Sequence, residues 1–272
     1  MTHEKSVAEH YAHATLEQTI LAALQASGKD LAHLVPSDLA PIDEFHIGGR
    51  PATVAFTEQL SLKPGQHVLD LGCGLGGTSR YLAETYGVHV TGIDLTADYI
   101  AAATMLAKLV GLESQVSYQT ASATALPFAP ARFDAVTLLH VGMNIADKAA
   151  LFAEARRVLK PGGIFGIYDV MRESGEGPIS FPVPWSSSPE TSFLETSATY
   201  QHLLEAAGFT VEAQRSRRDF AIKFLQKIPT NQPPPLGTHL LMGETAPQKI
   251  ANLLTNLQRN LIAPTEIISK AQ

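Results

Sequence analysis

The run Val68-Leu69-Asp70-Leu71-Gly72-Cys73-Gly74-Leu75-Gly76-Gly77 constrains this chain more than any other stretch: an apolar strand pattern ends on a carboxylate and breaks at once into glycines. Glycines serve a backbone that must turn sharply, often at positive φ, and a ligand that must approach main-chain atoms with no Cβ in the way. The helical pattern that follows, residues 78–86, points its amide-rich N-terminus at the bound group. A second acid, Asp94, closes the apolar run 88–93. It lies roughly 20 residues beyond the turn, where an acid in a βαβ unit reaches ribose hydroxyls.

Gly72, Gly74 and Gly77 also satisfy the spacing of dinucleotide enzymes, so the glycines alone leave a nicotinamide oxidoreductase open. Asp70 separates the readings. A dinucleotide sets a pyrophosphate over this turn, and a carboxylate at the strand end would repel it across partly desolvated space. S-adenosylmethionine has no phosphate and brings a sulfonium and an ammonium, which a carboxylate favours.

Downstream the chain alternates. Strand patterns at 67–71, 89–93, 116–119, 135–139 and 164–168 are separated by helical spacings at Ile100, Ala103, Ala107 and Val110, and at Leu151, Ala155 and Val158. This alternation predicts an α/β, Rossmann-like, doubly wound and mostly parallel sheet. Residues 1–62 read as an N-terminal helical cap, with one helical pattern over 7–24 stopped by Gly28 and a second introduced by Pro51. Residues 63–228 read as the cofactor domain, in which 171–190 is an insertion at the carboxyl edge of the sheet and 209–213 and 220–225 are the final two strands. Residues 229–272 read as a proline-bearing linker and an amphipathic helix with the stripe Ile250, Leu253, Leu254, Leu257 and Leu261, ended by Pro264. That helix is expected to dock on the core, with a homodimer contact or a lid as the alternatives.

A net charge of −6 argues against a nucleic-acid partner, which selects for a basic face. Arg215, Arg217 and Arg218 form a local cluster read as a solvated strand edge. Cys73 is the only cysteine, so no internal disulfide forms, and its place in the turn suits a small packing residue. No stretch approaches the ~20 apolar residues needed to span a bilayer, and the N-terminus lacks a basic-then-apolar leader pattern. A soluble, cytoplasmic protein with no membrane partner is the expectation.

Asp70, Gly72, Gly74 and Gly76, then Asp94, Leu126-Pro127-Phe128 with Arg132-Phe133-Asp134, and Val158-Leu159-Lys160-Pro161-Gly162-Gly163 follow one another in register. In these landmarks the chain resembles the class I S-adenosylmethionine-dependent methyltransferases. Glu44 to Thr53, His140 to Lys148, Phe181-Pro182-Val183-Pro184-Trp185 and His239 to Gly243 resemble the sarcosine/dimethylglycine N-methyltransferase-like group. The resemblance implies a final antiparallel strand, S-adenosylmethionine as cofactor with S-adenosylhomocysteine as product, and a small-molecule acceptor. A glycine-, sarcosine- or dimethylglycine-like amine is favoured over an O- or C-methylated metabolite. A cofactor-binding interaction module without turnover is the rival from another class.

The resemblance also implies cofactor contacts from Asp70, Gly72, Cys73, Gly74, Asp94, Leu95, Ser122, Ala123, Thr124 and His140. Ser122 stands where the group carries an acid beside adenine. His140 and His46 are the candidate catalytic residues, as proton acceptors or cofactor contacts. Met143, Asn144, Tyr168 and Trp185 are candidates for the substrate pocket, Trp185 because an aromatic face suits an ammonium. No cluster has metal-ligand spacing, so no metal is expected.

Overall fold

The computed structural model describes residues 3–12, 15–228 and 233–272. The start of the expected linker, at Pro229, lies outside the described residues. Strands β1 (His67–Leu71), β2 (His89–Asp94), β3 (Val116–Thr120), β4 (Phe133–Leu139), β5 (Leu159–Arg172), β6 (Phe209–Ser216) and β7 (Ile262–Ala271) form one sheet in the order β3-β2-β1-β4-β5-β7-β6. The first five are parallel, and β7 runs antiparallel to both β5 and β6. The expected Rossmann-like sheet is therefore present. Strand order reverses between β1 and β4, and in open α/β sheets that point opens the ligand crevice at the strands' carboxyl ends.

Four helices precede the sheet: α1 (His3–Tyr11), α2 (Leu16–Ala26), α3 (Pro36–Asp43) and α4 (Gly49–Thr57). Between strands run α5 (Gly77–Tyr86), α6 (Ala97–Leu109), α7 (Lys148–Val158) and α8 (Ser197–Ala206), while α9 (Arg218–Leu225), α10 (His239–Met242) and α11 (Ala246–Gln258) lie between β6 and β7. The helix expected over 7–24 is two helices, α1 and α2. Leu16, Ile20, Ala23 and Leu24 of α2 pack with Ala102 and Leu106 of α6, whereas Val7 and Tyr11 of α1 line a cavity. The unexpected α3 starts with Pro36 at its first turn, and Asp38 accepts a hydrogen bond from the Val35 amide at 3.1 Å. A proline and an acid in that first turn suit the helix start.

The C-terminal third departs from the sequence expectation. Residues 220–225 belong to helix α9, not to a strand: Phe220 and Phe224 stack one turn apart, and Ala221 and Leu225 face the core. The final strand is β7, which slots between β5 and β6. Its glutamate obscured it, because Glu266 sits inside the sheet at only 1% exposure. Arg215 and Arg217 neutralise it at 2.6 and 2.7 Å. The arginine cluster is thus partly an internal ion pair and not simply a solvated edge, since a buried acid requires compensation. Arg218 instead donates to the Leu257 carbonyl at the end of α11. Helix α11 docks on the core as expected, with Leu253 and Leu257 buried. No helix among the described residues is long and apolar enough to cross a membrane.

Candidate active site

A cavity of about 550 Å³ opens at the carboxyl ends of β1, β2 and β4. The turn after β1 forms its floor. Gly72, Gly74 and Gly76 have φ of 68°, 54° and 78°, the left-handed region that side chains disfavour. At Gly72 a Cβ would also collide with Val141, and at Gly76 with the Tyr118 ring. Close packing and backbone sign therefore both demand glycine at these two positions.

Asp70 is buried beneath the turn and accepts from Ser79 Oγ at 2.7 Å and Thr137 Oγ1 at 2.8 Å. Burial pushes its carboxyl up to about 6 against the pull of those two bonds. Asp94, at the end of β2, accepts from the Gly74 amide at 3.0 Å and the Thr96 amide at 2.9 Å, which staples the turn to the neighbouring strand. Burial raises its pKa as well. No Lys, Arg or His among the described residues forms an ion pair with either acid. Two desolvated acids on a cavity wall with no cation of their own fit a ligand that brings positive charge and hydroxyls. They do not fit a pyrophosphate.

The wall continues through Cys73, Leu95, Ser122, Ala123 and Thr124. Cys73 is buried, and burial holds its thiol neutral by raising its pKa. Ser122 replaces the expected acid, yet a carboxylate reaches the same rim from α1. Glu4 accepts from Ser122 Oγ at 2.5 Å and from Thr124 Oγ1 at 3.3 Å. His3 Nε2 lies 2.9 Å from the Asn144 carbonyl, and Tyr11 donates to Asn144 Oδ1 at 3.2 Å, so α1 crosses the mouth on contacts more than 110 residues distant in sequence.

The two candidate histidines are neighbours, with ring centroids 5.7 Å apart. His140 follows β4 with φ of 54°. Its Nδ1 donates to the Tyr168 carbonyl at 3.1 Å, and its Nε2 accepts from the Ile47 amide at 3.3 Å. Both nitrogens are occupied, and burial lowers its pKa well below the ordinary value, so the ring is neutral. His46 differs. Its Nε2 lies 2.7 Å from Glu44 Oε2 and 3.0 Å from Thr53 Oγ1, while its buried Nδ1 has no hydrogen-bond partner. Burial raises the Glu44 carboxyl, but the hydrogen bonds from His46 and Thr53 together with the Arg50 charge outweigh it and hold its pKa below the ordinary value. Arg50 Nε stands 2.7 Å from the other oxygen, Glu44 Oε1.

Met143, Asn144 and Trp185 line the cavity. Tyr168 does not. Its side chain is fully buried behind the wall and donates to the Ile47 carbonyl at 2.8 Å, so it supports the loop that carries His46. The lining residues that sequence reasoning passed over are Glu4 and Tyr11 of α1 and the apolar side chains of α9, α10 and α11. Nothing local marks them, because each reaches the cavity only through tertiary packing.

A family description of the methyltransferase domain matches residues 69–167, which span β1 through most of β5. Residues 69–167 are a methyltransferase domain. A ligand with the charge of S-adenosylmethionine would meet the requirement of Asp70 and Asp94. Among curated relatives, phosphoethanolamine N-methyltransferase of Triticum aestivum is 36% identical over 180 residues, 66% of this chain and 35% of that protein. The chain thus spans about a third of the length of the relatives it matches. Among solved structures, phosphoethanolamine N-methyltransferase 2 of Haemonchus contortus, in complex with S-adenosyl-L-methionine, superposes with a TM-score of 0.72 at 21% identity, covering 87% of this chain and 57% of that one. A candidate sarcosine dimethylglycine methyltransferase from Galdieria sulphuraria superposes with a TM-score of 0.67 at 17% identity, covering 81% and 85%. These two likenesses establish the fold.

The raised pKa of Asp70 gives cofactor binding a pH dependence. A cationic ligand favours the ionised acid, so binding below pH 6 must first expel a proton from a group that titrates at about 6. Affinity for S-adenosylmethionine should fall by up to about tenfold per pH unit below that point and level off above it. Calorimetry at pH 5, 6 and 7 in two buffers of different ionisation heat measures both the affinity and the proton released. Flat affinity with no proton release would place the positive charge away from Asp70.

Proposed function

We propose that the chain transfers a methyl group from S-adenosylmethionine to a small-molecule acceptor, and that the atom methylated is an amine nitrogen. The observation that carries the reading is the continuity of one cavity from Asp70 and Asp94 to His46, Met143, Asn144 and Trp185. When bound, the cofactor supplies an electrophilic methyl carbon. The chain's residues then have to align the acceptor, remove water and manage one proton.

Asp94 holds the ribose side in this reading, and Asp70 balances the positive charge. Helix α1 and the segment around Trp185 exclude water from the crevice. His46 is the proton acceptor: its Nε2 faces Glu44 and Thr53, and its Nδ1 has no hydrogen-bond partner. His140 is a positioning residue, because its occupied nitrogens tie the His46 loop to β5. The amine is favoured by the phosphoethanolamine N-methyltransferases among the relatives. An amine attacks only through its unprotonated nitrogen, which gives a buried base a task.

The test supplies radiolabelled cofactor with a panel of amines, phenols, carboxylates and quinols at saturating concentration. Label in an N-methylated product is the expected result. Label only on oxygen or carbon would overturn the amine assignment. Cofactor binding without label in any compound would favour an interaction module.

A further inference from the structure

The far half of the cavity differs in chemistry from the cofactor half. Its wall is one apolar cluster in which Ile47, Met143, Trp185, Leu225 and Leu253 are buried and Ile250 is half-buried. These side chains converge from five segments: the loop before α4, the turn after β4, the insertion after β5, and helices α9 and α11. Among the described lining residues the only lysine or arginine is Arg50. Its guanidinium is committed, 2.7 Å from Glu44 and 4.7 Å over the Tyr81 ring. The nearby Lys148 lies off the wall and donates to the carbonyls of Ile145 and Phe193. The lining histidines are engaged too: His3 with the Asn144 carbonyl, His46 with Glu44, and His140 with Ile47 and Tyr168.

A carboxylate or phosphate on the acceptor would therefore enter a desolvated wall with no free cation to meet it, a cost of several kcal/mol per ion. An alkyl or aryl group gains about 0.8 kcal/mol for each methylene it buries there. We infer that the acceptor is a hydrophobic amine, an alkyl or aryl body carrying the nitrogen, and not an amino acid or a phosphoamine. The inference rests on the methyl-transfer reading above and names its substrate class. It departs from the glycine- or sarcosine-like acceptor on the single ground of what lines the site.

The test reads binding and turnover separately. Butylamine, hexylamine and octylamine, with glycine, sarcosine and phosphoethanolamine, are titrated by calorimetry into the full chain saturated with S-adenosylhomocysteine. Affinity should rise about fourfold per added methylene, the ratio that ~0.8 kcal/mol converts to. Leu253→Lys should abolish that slope while retaining S-adenosylhomocysteine affinity. If that variant does not bind S-adenosylhomocysteine, Ile250→Lys, on the half-buried part of the wall, takes its place. A series independent of chain length overturns the inference, as does tighter binding of glycine, sarcosine or phosphoethanolamine than of octylamine. A slope that persists in the folded variant also overturns it, since binding is then elsewhere. Label transfer to none of the amines would overturn the methylation reading, while the binding slope decides the apolar class on its own.

Discussion

Arg80→Met should cost roughly 3–5 kcal/mol of folding stability, the range for removing one partner of a buried ion pair. Arg80 is 1% exposed and its Nη2 meets Asp43 Oδ1 at 2.5 Å, joining α5 behind the glycine turn to the end of α3 in the helical cap. Its Nη1 also donates to the Leu75 carbonyl at 2.8 Å. Burial already pushes Asp43 up to about 6 despite the pull of Arg80. Without the guanidinium that carboxyl titrates higher still. A folded-state pKa raised above the unfolded value makes stability fall as pH climbs between the two, so the deficit should be smallest near pH 5 and largest above pH 7. Denaturant melts at both pH values measure this. Asp43→Leu combined with Arg80→Met should recover part of the loss, because no charge is then left buried. An equal deficit at pH 5 and 8 would locate the damage in packing around α5 instead.

His46→Gln should lower kcat by about 10²–10⁴-fold while leaving S-adenosylhomocysteine affinity within about twofold, the span typical of losing a general base. Glutamine still offers an N–H to Glu44 but cannot take up a proton. His140→Gln is the control: as a positioning residue that ties the Ile47 amide to the Tyr168 carbonyl, it should reduce thermal stability and lower kcat of the folded enzyme far less than His46→Gln does. An unchanged kcat in His46→Gln would mean that the acceptor loses its proton to solvent before entry.

The cofactor half of the site was legible because its requirements are local. A turn at positive φ must be glycine, and an acid that ends a strand stands at the carboxyl edge whatever lies elsewhere, so Asp70, Gly72, Gly74 and Asp94 could be placed from spacing. The first five strands were legible for the same reason, their alternation with helices leaving little choice of topology. Glu44 and His46 lay in a segment that drew notice, but their pairing was not visible. A carboxylate two residues from a histidine is unremarkable until Arg50 and Thr53 of α4 close around it.

What the sequence determined by itself is the Rossmann-like frame with its glycine turn and the two acids, Asp70 and Asp94, at the strands' carboxyl edge. The tertiary structure decided the rest. It placed 262–271 inside the sheet, where Arg215 and Arg217 make Glu266 tolerable, and it made 220–225 a helix whose apolar face joins α11 in the cavity wall. It also brought Glu4 of α1 to Ser122 across 118 residues. The physical reason is common to all three. Periodicity and turn chemistry report on neighbours within a few residues, whereas an internal ion pair, a wall assembled from five segments and a rim closed by a distant helix exist only once long-range contacts repay the entropy of closing the loops between them.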